Sequence, residues 1–293
     1  MFEKVLIPTD FSPDSQRVLS YVKDNPGVQE VVLLNVVDAT HLSRHGWDHD
    51  PEIENARILL AENQQVLEKS GVKSEVIVTP LVHTITQGDI PLTILEKAKN
   101  LNISLIVMGA RGKNTIQNIL IGSVSANVIR HAKIPVFLMR FPPESTKACE
   151  QPVLFSRVLV PVDFSDPSRH AVTLLKNIPS LGQVLLLNVI SKGESESEIQ
   201  ISVREAREKL AVIQKDLAAV GISAEIKVHV GYPPDEITAT AEREGITLIL
   251  MSPQGEGLTR ELRALFIGST TNAVIRRAHC PVLITADTEK VVE

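Results

Sequence analysis

At 293 residues the chain is long for one domain and suits two of about 150, each large enough to bury a core without a disulfide or structural metal. A hydrophobic fraction of 43% with only 3% aromatic residues points to cores of Val, Ile, Leu and Ala, as found in strands covered on both faces by helices. The net charge of −5 argues against a nucleic-acid binder, and no apolar run approaches the length of a membrane span.

The first residues, "MFEKVLIPTDFS", carry an acidic side chain and run straight into a strand, unlike a secretory signal. Val5, Leu6 and Ile7 form that strand, and Ser12 is placed to cap a helix carrying Val18, Leu19 and Val22 at helical spacing. "EVVLLNVV" is a second strand. "THLSRHGWDHD" follows, with His41, His45 and His49 four residues apart. On one helical face they could bind a transition metal, but Gly46 and Pro51 favour a polar lid. "PEIENARILLAENQQVLEKSG" is an amphipathic helix with Pro51 at its start and Gly71 just past its end. Then come a strand "SEVIVTP", a helix "PLTILEKAKNLN", a strand "SLIVMG", a helix "SVSANVIRHAK" and a strand "PVFLMR". The alternation implies an α/β fold whose five-stranded parallel sheet has helices on both faces.

The same order then repeats. "KVLIPTDFSPDS" at 4–15 returns as "RVLVPVDFSDPS" at 157–168, and "VVLLNVVD" at 31–38 as "QVLLLNVI" at 183–190. "SLIVMGARG" at 104–112 returns as "TLILMSPQG" at 247–255, and "IGSVSANVIRHAKIPVFLM" at 121–139 as "IGSTTNAVIRRAHCPVLIT" at 267–285. The chain is thus read as two tandem domains, 1–141 and 156–293, joined by a Pro-rich polar linker over 142–155. Of the two cysteines, Cys149 falls in this linker and Cys280 before a strand. Without a partner motif they read as reduced thiols of a cytoplasmic protein.

Doubly wound sheets bind ligands beyond the carboxyl ends of their strands, where strand order reverses. That rule selects Pro8, Thr9 and Asp10 after the first strand, Val36 at the end of the second, and the glycine-rich stretch "GARGKNTIQNILIGS" after the fourth. Gly109 leaves room for an approaching group, and Gly112 permits a positive φ. Gly122 and Ser123 open a helix whose first amides favour an anion such as phosphate. Ser125 adds a hydroxyl, and Arg111 or Lys113 adds charge.

The spacing Gly109-x2-Gly112-x9-Gly122-Ser123, with the blocks "VLIPTDFS", "LLNVVD" and "LIVMGARG", resembles the ATP-binding signature of the universal stress protein family over nearly the whole chain. The resemblance implies two tandem Rossmann-like domains of the adenine nucleotide alpha hydrolase-like type. It implies that Pro8, Thr9, Asp10 and Val36 hold adenine and ribose. It further implies that Met108, Gly109, Gly112, Gly122, Ser123, Val124 and Ser125 surround ribose and phosphates of ATP or AMP, with a metal such as Mg²⁺ on the phosphates where hydrolysis occurs. Family members dimerise through their last strands. A tandem chain can form that pair internally, and a homodimer and a protein partner are further expectations.

In the second copy the corresponding positions are Pro161, Val162, Asp163, Val189, Met251, Gly255, Gly268, Ser269, Thr270 and Thr271. Here Ser252 replaces Gly109, Pro253 follows it, and twelve residues rather than nine separate the last two glycines, so the second site is expected to bind weakly, differently or not at all. A Walker A loop is excluded, because Val107 and Asn114 stand where its glycine and hydroxyl belong. No catalytic residue is assigned. The expectation is a nucleotide-responsive stress-response module, with a slow metal-dependent ATPase or phosphotransferase and a nucleotide-independent scaffold as alternatives.

Overall fold

The computed structural model describes residues 2–23, 28–38, 51–81, 89–110, 121–140, 153–178, 180–191, 193, 195–255 and 266–286. Two compact units emerge, Met1–Met139 and Arg140–Glu293. The first contains β1 (Lys4–Pro8), α1 (Pro13–Lys23), β2 (Glu30–Asp38), α2 (Pro51–Lys69), β3 (Lys73–Leu81), α3 (Asp89–Asn100), β4 (Leu105–Gly109), α4 (Ser123–His131) and β5 (Val136–Met139). Its strands lie in the order β3-β2-β1-β4-β5, with every neighbouring pair parallel.

The second unit repeats this plan. It runs through β6 (Arg157–Pro161), α5 (Asp166–Leu175), β7 (Gln183–Ile190), α6 (Glu196–Ala218), β8 (Ala224–Val230), α7 (Pro233–Arg243), β9 (Leu248–Met251), α8 (Ser269–Arg277) and β10 (Val282–Ile284). Its order is β8-β7-β6-β9-β10, again parallel throughout. The central strands are buried along their length, which is why Val5–Ile7, Val31–Leu34 and Val158–Val160 read as unbroken apolar runs.

Helix boundaries follow local chemistry. Ser12 caps α1, its Oγ accepting the Ser15 amide at 3.3 Å, with Pro13 at the first helical position. Ser165 does the same for α5. The long helices α2 and α6 end at Gly71 (φ 80°) and Gly221 (φ 81°), each followed by an amide that bonds back to a leucine carbonyl, Leu67 or Leu217. An added Cβ would touch nothing at either glycine, so conformation alone selects the residue there. Asn102 (φ 53°) closes α3 in the same left-handed way, so the helix ends short of the expected "LN".

Polar anchoring within the second unit centres on Glu244, just past α7. Its Oε1 lies 2.5 Å from Lys227 Nζ on β8 and its Oε2 3.0 Å from Arg157 Nη2 on β6. The Lys227 hydrogen bond, with Arg157 and Arg243 nearby, holds the Glu244 carboxyl below the usual carboxylate range. Glu244 in turn raises Lys227. A carboxylate lowered on folding stabilises above its unfolded pKa, and that contribution is lost as pH falls through the folded value. For the raised lysine the loss comes as pH rises through its folded value. Lys227→Met is therefore expected to lower the thermal midpoint at neutral pH. The gap to wild type should narrow as pH falls through the lowered range in which Glu244 takes up a proton. Calorimetric scans across pH check this, and a gap that persists in acid would refute it.

Cys280 is half-buried, and burial pushes its thiol up to about 12, so it remains a neutral thiol at physiological pH. Cys149 lies outside the described residues. No described helix is long and apolar enough to cross a membrane.

Candidate functional site

In the first unit β1 and β4 are neighbours, with β2 and β3 on one side and β5 on the other, so strand order reverses between their carboxyl ends. Pro8 closes β1, and Thr9 and Asp10 form the turn beyond it. The Thr9 amide donates to the Leu34 carbonyl at 2.8 Å, and Asn35 Nδ2 donates to the Thr9 carbonyl at 2.7 Å. Asp10 Oδ1 accepts the Ser12 amide at 3.0 Å, and Thr9 Oγ1 accepts the Phe11 amide at 3.1 Å. Phe11 is driven to φ 59°, uncommon for a bulky residue. Asp10 thus shapes the turn while sitting at the reversal point.

Met108 and Gly109 end β4, and Val36 lies near the end of β2. The Gly122 amide donates to the Ala110 carbonyl at 3.0 Å, and Ser125 Oγ donates to the Gly109 carbonyl at 3.1 Å. Those two bonds bring the start of α4 to the end of β4. Gly122 is the N-cap residue and supplies no side-chain cap. Its own amide is spent on Ala110. The amides that meet no acceptor among the described residues are the next three, Ser123, Val124 and Ser125. Arg111, Gly112 and Lys113 lie outside the described residues, as do His41, His45 and His49. Among the described residues no group of three or more His, Cys, Asp or Glu is placed to hold a metal ion.

The second unit repeats the arrangement. The Val162 amide donates to Leu187 at 2.8 Å, and Asn188 Nδ2 donates to the Val162 carbonyl at 2.7 Å. Asp163 Oδ1 accepts the Ser165 amide at 3.1 Å and the Ser165 hydroxyl at 2.5 Å, and Phe164 takes φ 66°. Gly268 donates to the Pro253 carbonyl at 2.9 Å, and Thr271 Oγ1 donates to the Ser252 carbonyl at 3.0 Å. The loop base therefore uses the same two bonds as the first unit, although Ser252 stands in for Gly109. Ser252 Oγ turns back into the loop and donates to the Gln254 carbonyl at 2.6 Å.

Above this base lies an open cavity of about 790 Å³. It is lined by Pro161 at the end of β6, Val162 and Asp163 just beyond it, Val189 on β7 and Met251 on β9. Gly255, Gly268, Ser269, Thr270 and Thr271 form one end. Ser202, Glu205 and Lys209 of α6 also line it, with the Lys209 ammonium 5.3 Å from the Phe164 ring centre. Every second-copy position selected from sequence borders this one space. A Cβ on Gly255 would lie 2.3 Å from Asp163 Oδ2, so any side chain there would displace the carboxylate from its place against the loop.

Sequence reasoning passed over Asn35 and Asn188. Each is buried and holds the turn that carries the aspartate. A signal was available, because both copies place asparagine at the same point of an otherwise apolar strand.

The family model described as Universal stress protein family matches residues 1–140 and 154–286. Among curated relatives, the universal stress protein MJ0577 of Methanocaldococcus jannaschii is 30% identical over 157 residues, covering 45% of this chain and 95% of its own length. The universal stress protein Slr1230 of Synechocystis is 25% identical over 257 residues, covering 88% of this chain and 79% of its own. Among solved structures, a universal stress protein from Archaeoglobus fulgidus aligns with a TM-score of 0.71 at 30% identity over 98% of both chains. Duplicated α/β architecture, shared loop bases and these matches together lead to one conclusion: the chain belongs to the universal stress protein family, with two tandem copies of the family's unit.

Proposed function

We propose that the chain binds adenine nucleotides at the carboxyl edges of its sheets and acts as a nucleotide-responsive regulatory module. In the first unit Pro8, Thr9, Asp10 and Val36 take the base and ribose, and Met108, Gly109 and Gly122–Ser125 take the ribose and phosphates, with Arg111 and Gly112 contributing from the loop. The second unit offers the equivalent positions from Pro161 to Thr271. The reading is carried by the second unit's cavity of about 790 Å³, whose lining joins a carboxylate, apolar side chains and a helix start. That size suits a small-molecule site, and the first amides of α4 and α8, which meet no acceptor among the described residues, favour an anionic tail. A carboxylate in that lining complements ribose hydroxyls or an exocyclic amino group. The first unit, which keeps all three glycines of the signature, is the tighter site.

Regulation then follows from population shift. A nucleotide that contacts the loop in one arrangement favours that arrangement, and a partner reads the altered surface. Calorimetric titration of the full chain with ATP, ADP and AMP tests the proposal. Saturable heat at two unequal sites, accompanied by a raised thermal midpoint, is expected. Absence of both heat and thermal shift with all three nucleotides would leave a scaffold that ignores nucleotides. Saturable ATP turnover that disappears in Asp10→Ala would instead make the first unit a hydrolase.

A further inference from the structure

We propose that Gln254 is a positioning residue that keeps the phosphate end of the second unit's site in shape despite the altered loop of that copy. The inference rests on the nucleotide-binding reading above and adds a residue outside the glycine signature. Two differences should loosen this end relative to the first unit. The stretch between the last two glycines is longer, and a longer loop costs more entropy to close. Ser252 also replaces the glycine at the end of the strand.

Gln254 counters both. Its side chain is polar, yet the residue is only 3% exposed, a placement that is costly unless its amide is bonded. The bond is present, with Nε2 donating to the Phe266 carbonyl at 2.8 Å, on the far side of the loop. The Gln254 main-chain carbonyl accepts the Ser252 hydroxyl, so the substituted serine is tied into the same turn. With the Gly268–Pro253 and Thr271–Ser252 bonds, hydrogen bonds among the described residues clip 252–254 to 266–271 at three points. A Cβ on Gly268 would meet Gln254 Cα at 3.3 Å, so the backbone at 254 packs directly on the start of α8. The clip therefore fixes Ser269, Thr270 and Thr271 relative to Gly255 and Asp163 before any ligand arrives. Donors held in place beforehand bind an anion better than donors that must be ordered on binding.

The consequence is selective. Loss of the clip weakens ligands that reach the helix start and spares ligands that stop at the ribose. The test uses the full chain and hydrogen exchange over residues 183–191 and 266–277 during titration with ATP, AMP and adenosine. Gln254→Met keeps the side chain's length and neutrality but cannot donate to Phe266, and Gln254→Ala removes the side chain altogether. In either variant, ATP and AMP are expected to need about tenfold more ligand for half-protection, the size of effect that losing the Phe266 bond brings. Adenosine should stay within about twofold of wild type on the same scale. Parallel weakening of adenosine, or unchanged ATP and AMP, overturns the role of Gln254. Wild-type protein that gains no protection from any nucleotide, there or over residues 121–131, overturns the nucleotide-binding reading itself.

Discussion

Gly255→Ala should cost the second unit at least about tenfold in adenine-nucleotide affinity while leaving the chain folded. The new Cβ would sit 2.3 Å from Asp163 Oδ2, a separation that side chains do not adopt, so something must yield. Gly255 is not among the residues with positive φ, so alanine introduces no backbone strain there. The Asp163 carboxylate is exposed, and it gives way more easily than the loop backbone. Its retreat breaks the bonds from the Ser165 amide and hydroxyl and withdraws the group assigned to the ribose or base. Gly221→Ala is the matched control. Nothing surrounds that glycine, but its φ of 81° strains any L side chain by about 1 kcal/mol, so stability falls and affinity does not. Calorimetry on both variants separates the two effects. Equal affinity in Gly255→Ala and wild type would remove Asp163 from the site.

Leu210→Ala is expected to destabilise the second unit by about 2–5 kcal/mol. Leu210 and Leu217 are fully buried on α6, which otherwise presents a charged face to solvent, and Ala206 completes the packed stripe. Removing the isopropyl end of the side chain at the middle of this stripe leaves a cavity that the packed helix of 23 residues closes only in part. Denaturant unfolding followed by circular dichroism measures the loss. A cost below about 1 kcal/mol would mean the helix repacks freely. The same reasoning applies to Leu60 on α2, buried to the same degree.

The fold was legible because its determinants are local. Strands buried on both faces appear as short apolar runs, and helices announce themselves through Ser12, Pro51 and Gly71, whose conformational roles depend on immediate neighbours. Internal repetition supplied the rest, since each element could be read twice. The candidate site was legible as a set of positions, because the sheet's reversal point follows from strand order.

Less legible was how those positions are held. Asn188 acts through a carbonyl 26 residues away, and Gln254 through one 12 residues away across a loop. Each partner lies in another element or across a loop, so local periodicity does not reveal the pairing; only the repeat flags the asparagine, and nothing comparable flags Gln254. Where Ser252 replaces the glycine, its hydroxyl finds a partner in the main chain two residues on, a contact that residue size alone does not reveal. The amide of Gly122 brings the helix to the strand, and the donors that meet no acceptor among the described residues begin one residue later.

Phe11 and Phe164 carry the same left-handed backbone in both halves, each immediately after the aspartate. Glycine would adopt that geometry without penalty, so the aromatic ring is retained against a local preference. Anyone redesigning this chain for heat tolerance meets a trade at these two points. Relaxing the main chain at 164 surrenders the surface on which Lys209 rests, and with it one wall of the chamber.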